Sequence, residues 1–281
     1  MTPRHIRDFA AKALLWLSAG AVSALLLALA GYAGFRGAPE LSWKFLTGQE
    51  SILGGTAGIL PSIVNTLVVI AVSLAVVLPV GVGAAVYLTE YARNHLFVEG
   101  VAFAAGVLSG VPSILYAMIG ALVFCDKLGL QKTLLAGSLT LSVMTLPTVL
   151  RTTQESLKAA PLSYREGALG LGAGKWLMIR TLILPASVDG IVTGCILAAG
   201  RVVGETAVLM YTAGLSMVMQ DFSSLQSALD ASGATLSTAL YVYAKERADF
   251  GAAFAVATVL LFLTAAINFL AAAVGRRARR V

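Results

Sequence analysis

Residues 151–185 read RTTQESLKAAPLSYREGALGLGAGKWLMIRTLILP. Arg151, Lys158, Arg165, Lys175 and Arg180 make this a basic, polar interval between two apolar blocks. Pro161 ends whatever helix precedes it. Ser163 and Glu166 have the S-x-x-E spacing of a capping box, which pairs two otherwise unsatisfied backbone donors at a helix start. The spacing predicts a short helix from Tyr164 to Leu171, stopped by Gly172 and Gly174. Gly167, Ala168 and Gly170 line it. Such small side chains build little core, but they let another protein's surface come close. Lys175, Trp176 and Arg180 then read as an interfacial segment climbing back to a membrane, and Pro185 suits the first turn of the next helix. The plainer alternative is a solvated loop helix that only caps itself.

The rest of the chain makes that loop an interruption in a membrane protein. Of 281 residues, 58% are apolar types and 12% are charged, and the mean hydropathy is +0.86. An average soluble domain carries roughly 25% charged residues. The deficit falls in long charge-free blocks, which excludes an ordinary cytosolic enzyme, a disordered tail and a disulfide-stapled secreted module. Cys125 and Cys195 lie far apart in apolar surroundings and give neither a metal spacing nor a disulfide framework. No cofactor motif is present. In a soluble chain the net charge of +6 would suggest nucleic acid; in a membrane chain it asks which loops are positive.

A helix needs roughly 20 mostly apolar residues to cross a bilayer. The pattern gives six spans, at about 13–35, 59–88, 98–124, 133–150, 188–213 and 250–274, in one all-α polytopic domain covering 1–281. The first has a competing reading as a cleaved signal peptide ending near Ala28-Leu29-Ala30, but its apolar run is as long as a full span. With both termini inside, the inner segments hold 13 Lys and Arg and the outer ones 6, with Arg201 left in the membrane. That asymmetry fits the positive-inside bias, and 151–185 becomes a cytoplasmic loop. The segment from Gly214 to Asp249 is expected to hold a short helix or loop on the outer face. The basic tail from Arg276 to Arg280 reads as an orientation anchor, with lipid contact as a generic addition.

The fifth span contains AAGRVVGETAVLMYTAG, residues 198–214. Arg201 and Glu205 are four apart, which would put them on one helix face. An Arg at a helix centre costs about 2.5–3.5 kcal/mol on insertion scales. Such groups normally face a bundle interior or a water-filled path. One reading is an internal ion pair that neutralises itself. The other is an anion path, since a guanidinium fork matches phosphate or carboxylate oxygens. A carboxylate beside that path suits an oxyanion that still carries a proton, as HPO4 2− does and sulfate at neutral pH does not. Asp189 reads as a favourable charge at a helix N-terminus. Pro79 and Pro147 fall inside spans and are expected to kink them. His5 and His95 have no partner at ligand spacing.

Two tempting motifs fail. GLGAGKW lacks the P-loop's first glycine, where Leu169 stands, and its Ser or Thr, where Trp176 stands. No HExxH, GxSxG or paired-carboxylate constellation is present. The chain is therefore read as no enzyme, and any ATP hydrolysis would belong to another chain.

Glu166, Ala168, Gly172, Leu184 and Pro185 resemble the EAA signature of ABC importer permeases, E-A-A-x3-G-x9-I-x-L-P, with Gly167 and Leu182 as mild departures. The resemblance implies a type I importer permease with a MetI-like fold, in which this loop is the coupling helix that docks on a cytoplasmic ATPase. Ser163, Arg165, Glu166, Gly167, Ala168 and Gly172 would serve that coupling, with Glu166, Ala168 and Gly172 facing the ATPase. Together with GRVVGETAVLMYTAG, LPVGVGAAVYLTEYA at 78–92 and SGVPSILYA at 109–117, the loop looks like the PstA-type permease of the phosphate-specific importer. That likeness implies Arg201, Glu205 and Thr206 along the substrate path. It also implies a second permease subunit (PstC-type), an ATPase dimer (PstB-type), an external phosphate-binding protein (PstS-type), a bacterial inner membrane and no nucleic acid. Pro112 and Ser113 match a family turn and are read as packing residues. Rival readings are a permease for molybdate, sulfate or another nutrient, or an ion-coupled secondary transporter, which would call for two related halves with broken helices.

Overall fold

The structure, a computed structural model, describes residues 3–49, 58–218 and 224–278, and these contain helices and turns but no strand. In chain order the helices are α1 (Pro3–Gly37), α2 (Trp43–Thr47), α3 (Leu60–Val86), α4 (His95–Ser109), α5 (Ser113–Gly120), α6 (Leu134–Ala159) and α7 (Leu162–Gly170). Then come α8 (Lys175–Met178), α9 (Leu184–Ala186), α10 (Val188–Gly204), α11 (Ala207–Thr212), α12 (Leu225–Asp230), α13 (Leu236–Tyr241) and α14 (Phe250–Ala278). Wider π turns prolong α3 through Tyr91, α5 through Lys127, α8 through Ile183 and α13 through Glu246. Side-chain caps fix several starts: Ser42 accepts the Phe45 N–H, Asn94 that of Phe97 and Thr133 that of Ala136.

Among the described residues, four helices (α1, α3, α6 and α14) are long and apolar enough to cross a membrane, or up to six spans if two bent pairs each count as one. The expected segments 13–35, 59–88, 133–150 and 250–274 overlap these four, with Ile59 and Thr133 standing one residue before α3 and α6 and 59–88 running into the π turn after α3. The other two are broken. The 98–124 segment divides into α4 and α5, inclined at 100°. Pro112 stands at the break in an extended conformation, and the Tyr116 hydroxyl reaches back to the Leu108 carbonyl at 2.9 Å. The fifth begins at Lys175, inside the interval read as a loop, bends by 65° between Ala186 and Val188, and ends at Gly204 rather than at 213. Pro79 and Pro147 sit inside α3 and α6.

α6 is the axis. It packs on α3 and α10, and its buried face carries Ser138, Thr140, Ser142, Thr145 and Thr153. Most of these hydroxyls donate to the carbonyl four residues back, as in Ser138 to Leu134 and Thr145 to Leu141, which satisfies them without water. Ser73 of α3 donates to the Ser138 carbonyl at 3.1 Å, and Ser142 donates back to the Ser73 carbonyl at 3.3 Å. α10 approaches α6 through Gly190, Gly194 and buried Ala198; a Cβ at the glycines would collide with Ser156 and Thr152. Small residues four apart are a usual means of close helix contact in membranes. Reciprocal bonds between Ser156 and Ser187, 2.9 and 3.2 Å, fasten the bend before α10 to the same helix.

The segment after Gly214 does not simply lie on the outer face. Ala234, Thr235, Leu236, Thr238 and Ala239 are buried. Asn65 donates to the Ala234 carbonyl at 3.1 Å, and Thr66 accepts the Leu236 N–H at 2.9 Å. Buried polar groups on α3 would otherwise lack partners, so the chain folds inward to meet them. Arg279 and Arg280 of the basic tail lie outside the described residues.

Candidate functional site

Two regions hold the residues singled out by the sequence. The first is α7 and its flanks. The helix starts at Leu162, two residues before the expected start, with Pro161 as its cap. Ser163 therefore sits inside the first turn, and the capping box with Glu166 does not form; no side chain caps this helix. The C-terminus is a Schellman motif: Ala173 N–H bonds to the Ala168 carbonyl at 2.9 Å and Gly172 N–H to that of Leu169 at 3.0 Å. Gly172 has φ +78, a conformation that costs a glycine little.

Only Arg165 and Ala168 of α7 turn inward. Ala168 is buried with Leu157, Ala160, Met178 and Ile179, so it seats the helix instead of facing a partner. Arg165 donates from Nη2 and Nε to Glu90 Oε1 at 2.8 and 3.2 Å, and to the carbonyls of Leu157 and Ala160 at 2.8 and 3.1 Å. Ser163, Glu166, Gly167 and Gly172 are exposed, with Leu162, Leu169 and Leu171 among them; Leu171 is 91% exposed. A Cβ at Gly167, Gly170 or Gly174 would meet nothing within 4 Å. Nothing among the described residues requires these glycines, although glycine in a helix costs about 0.5–1 kcal/mol relative to alanine. An apolar rim around small residues is the surface a partner would cover. The sequence reading missed Glu90 and the three leucines. The available signal for Glu90 was its place as the first charge after the long apolar block from 59.

The second region is the junction of α10 and α11. Arg201 belongs to the last turns of α10, but Gly204 ends that helix and Glu205 is extended, with φ −81 and ψ 117. The two do not share a helix face, and no ion pair joins them. Glu205 Oε1 instead accepts the Val208 N–H at 3.2 Å at the start of α11, while the Glu205 carbonyl accepts the Ser237 hydroxyl at 2.8 Å. Thr206 is half-buried at the start of α11 and makes no side-chain cap. Val202, Val203, Val208 and Leu209 lock both helices into one apolar cluster with Val69, Ile70 and Tyr116.

Arg201 is half-exposed, within electrostatic reach of Tyr116, and has no hydrogen-bond or ion-pair partner among the described residues. Asp189, Thr193 and Leu197 precede it at intervals of four, and all three are exposed. This strip lies away from the Gly190, Gly194 and Ala198 edge that meets α6. Polar groups on an uncovered side of a span are costly in lipid and normally face a water-filled cavity or another subunit. Asp189 lies in the first turn of α10, as its helix-terminus reading requires. Among the described residues no group of His, Cys, Asp and Glu could hold a metal.

These features, a multi-pass apolar bundle with a protruding short helix, define a transporter's membrane component. Residues 78–280 match the family described as binding-protein-dependent transport system inner membrane component, and the chain belongs to it. It is 34% identical over 220 residues to the probable ABC transporter permease protein YqgI of Bacillus subtilis (strain 168), covering 78% of this chain and 75% of the relative. It is 34% identical over 218 residues to the phosphate transport system permease protein PstA of Mycobacterium leprae (strain TN), covering 77% and 70%. A solved bacterial alginate ABC transporter, in complex with an alginate pentasaccharide-bound periplasmic protein, contains a chain with the same fold. The TM-score is 0.67 at 16% identity, over 98% of this chain and 96% of that one.

Proposed function

We propose that this chain is the PstA-type permease subunit of an ATP-driven phosphate importer, forming one half of the translocation path with both termini in the cytoplasm. The observation that carries this reading is Arg201: a guanidinium without a partner among the described residues, on the uncovered polar strip of α10. The strip suits an aqueous conduit closed by a second permease subunit of the PstC type. There the fork would take two phosphate oxygens. Glu205 keeps one carboxylate oxygen on the Val208 N–H, and the other is available to accept a hydrogen bond from the P–OH of hydrogen phosphate. Thr206 stands next to it as a further hydroxyl.

The exposed face of α7 would seat an ATPase dimer of the PstB type through Ser163, Glu166, Gly167 and Gly172, with Arg165 and Ala168 holding the helix from behind. An external phosphate-binding protein of the PstS type would deliver the ligand. Phosphate relatives favour this substrate over molybdate or sulfate. The test is to purify the chain with its natural partners, reconstitute the complex in proteoliposomes and follow ATP-dependent uptake of radioactive phosphate. Arg201→Ala should abolish uptake while the complex stays assembled. Normal uptake by that variant would refute the path role. Uptake by this chain alone under an ion gradient would favour a secondary transporter.

A further inference from the structure

Glu90 lies on the π turn that prolongs α3, and its side chain is only 6% exposed against 19% for Arg165. An extra residue per turn rotates the downstream chain by about 100° relative to a regular helix, and such insertions concentrate at functional positions. α7 itself and the segment just beyond it converge on this one residue. Arg165 takes its carboxylate with two N–H groups, at 2.8 and 3.2 Å. Lys175, just beyond α7, donates to its carbonyl and lies over the Tyr91 ring at 5.4 Å from the centroid. From that end α3 runs without a break to the middle of the bundle. There Val77 packs with Val149 and Ala198, and Val69 and Ile70 share a cluster with Val202 and Val203. Ala198 and Val202 flank Arg201 on α10.

We infer that Glu90 is the positioning residue that fastens the coupling helix to α3, so that displacement of α7 is carried along α3 to the segment of α10 bearing Arg201. This rests on the reading of α7 as the ATPase seat and goes beyond it, because the Glu90 side chain is buried behind α7 and not on its exposed face. A residue held by Arg165 at its carboxylate and by Lys175 at its backbone carbonyl transmits push and pull alike, whereas the apolar contacts of Ala168 resist only compression. The pair's burial gives it a force that a solvent-exposed ion pair lacks.

The experiment uses the complete importer in proteoliposomes, with ATP hydrolysis and radioactive phosphate uptake read together. Glu90→Gln, close in shape but uncharged, should retain the ATPase on purification and hydrolyse ATP within about twofold of wild type, while the ATP consumed per phosphate moved rises about tenfold. Arg165→Lys, which keeps the charge and gives up the fork, should raise the same ratio. The double variant should be no worse than the worse single one. An unchanged ratio in either assembled variant overturns the inference. So does a parallel fall of uptake and hydrolysis with loss of the ATPase, which would make the pair a seat and nothing more. If the wild-type complex carries no ATPase, the functional reading itself fails, and the inference with it.

Discussion

Arg201 sits where α10 shows a polar strip to the outside of the fold, and its neighbours set what it can do. Val202 and Val203 are buried on the far side, so the backbone is held while the guanidinium is not. Arg201→Lys keeps the charge and loses the planar fork, so the bidentate recognition of an oxyanion should suffer. A charge-assisted hydrogen bond is worth about 1.5–3 kcal/mol, so uptake should fall by about an order of magnitude or more, against near-total loss in Arg201→Ala. Uptake of radioactive phosphate by the two variants, at equal complex yield, checks the order. Glu205→Gln leaves an oxygen to accept the Val208 N–H but replaces the second acceptor with an NH2 donor, which cannot accept a hydrogen bond from the ligand. It should assemble normally and lose the preference for phosphate over sulfate, measured by competition. An unaltered preference would assign selection to the binding protein instead.

At the scale of elements, α7 and the α6–α10 contact make separate demands. Leu171 stands 91% exposed at the end of α7, so if α7 is the proposed ATPase seat, Leu171→Glu should leave the chain's own thermal stability unchanged while weakening retention of the ATPase in co-purification. Gly194→Val would drive a branched side chain into Thr152. Overpacking of this kind costs about 1–3 kcal/mol, seen as a lower melting temperature in detergent, and Thr152→Ala should restore part of it. The α7 helix was legible from Pro161 and the glycines, because stop signals are local. Its cap was not. Pro161 itself adopts the extended conformation that starts the helix, leaving Ser163 two residues too deep to cap. The Arg201–Glu205 spacing misled for a related reason: a four-residue interval means one face only if the helix continues, and Gly204 ends it. The carboxylate expected to answer Arg201 serves the start of α11 instead. Glu90 was invisible as a partner of Arg165, since 75 residues separate them and only the packed ends of α3 and α6 bring them together.

For the whole molecule, six apolar segments were readable because bilayer thickness fixes their length, whereas the 100° and 65° bends in two of them depend on tertiary contacts such as Tyr116 to Leu108 and Ser156 to Ser187. The inside excess of Lys and Arg predicts that cysteines placed near Arg7 and Arg276 react with an impermeant maleimide only in inside-out vesicles. Reaction of either from the opposite side would reverse the assignment. On the proposed reading, the subunit presents Asp189, Thr193 and Arg201 as one wall of a conduit that a second subunit completes. Made without its mate, it would press that wall against acyl chains and become an orphan for membrane quality control. Its steady-state amount should therefore track the synthesis of the companion subunit, which ties the two products to matched dosage in the cell.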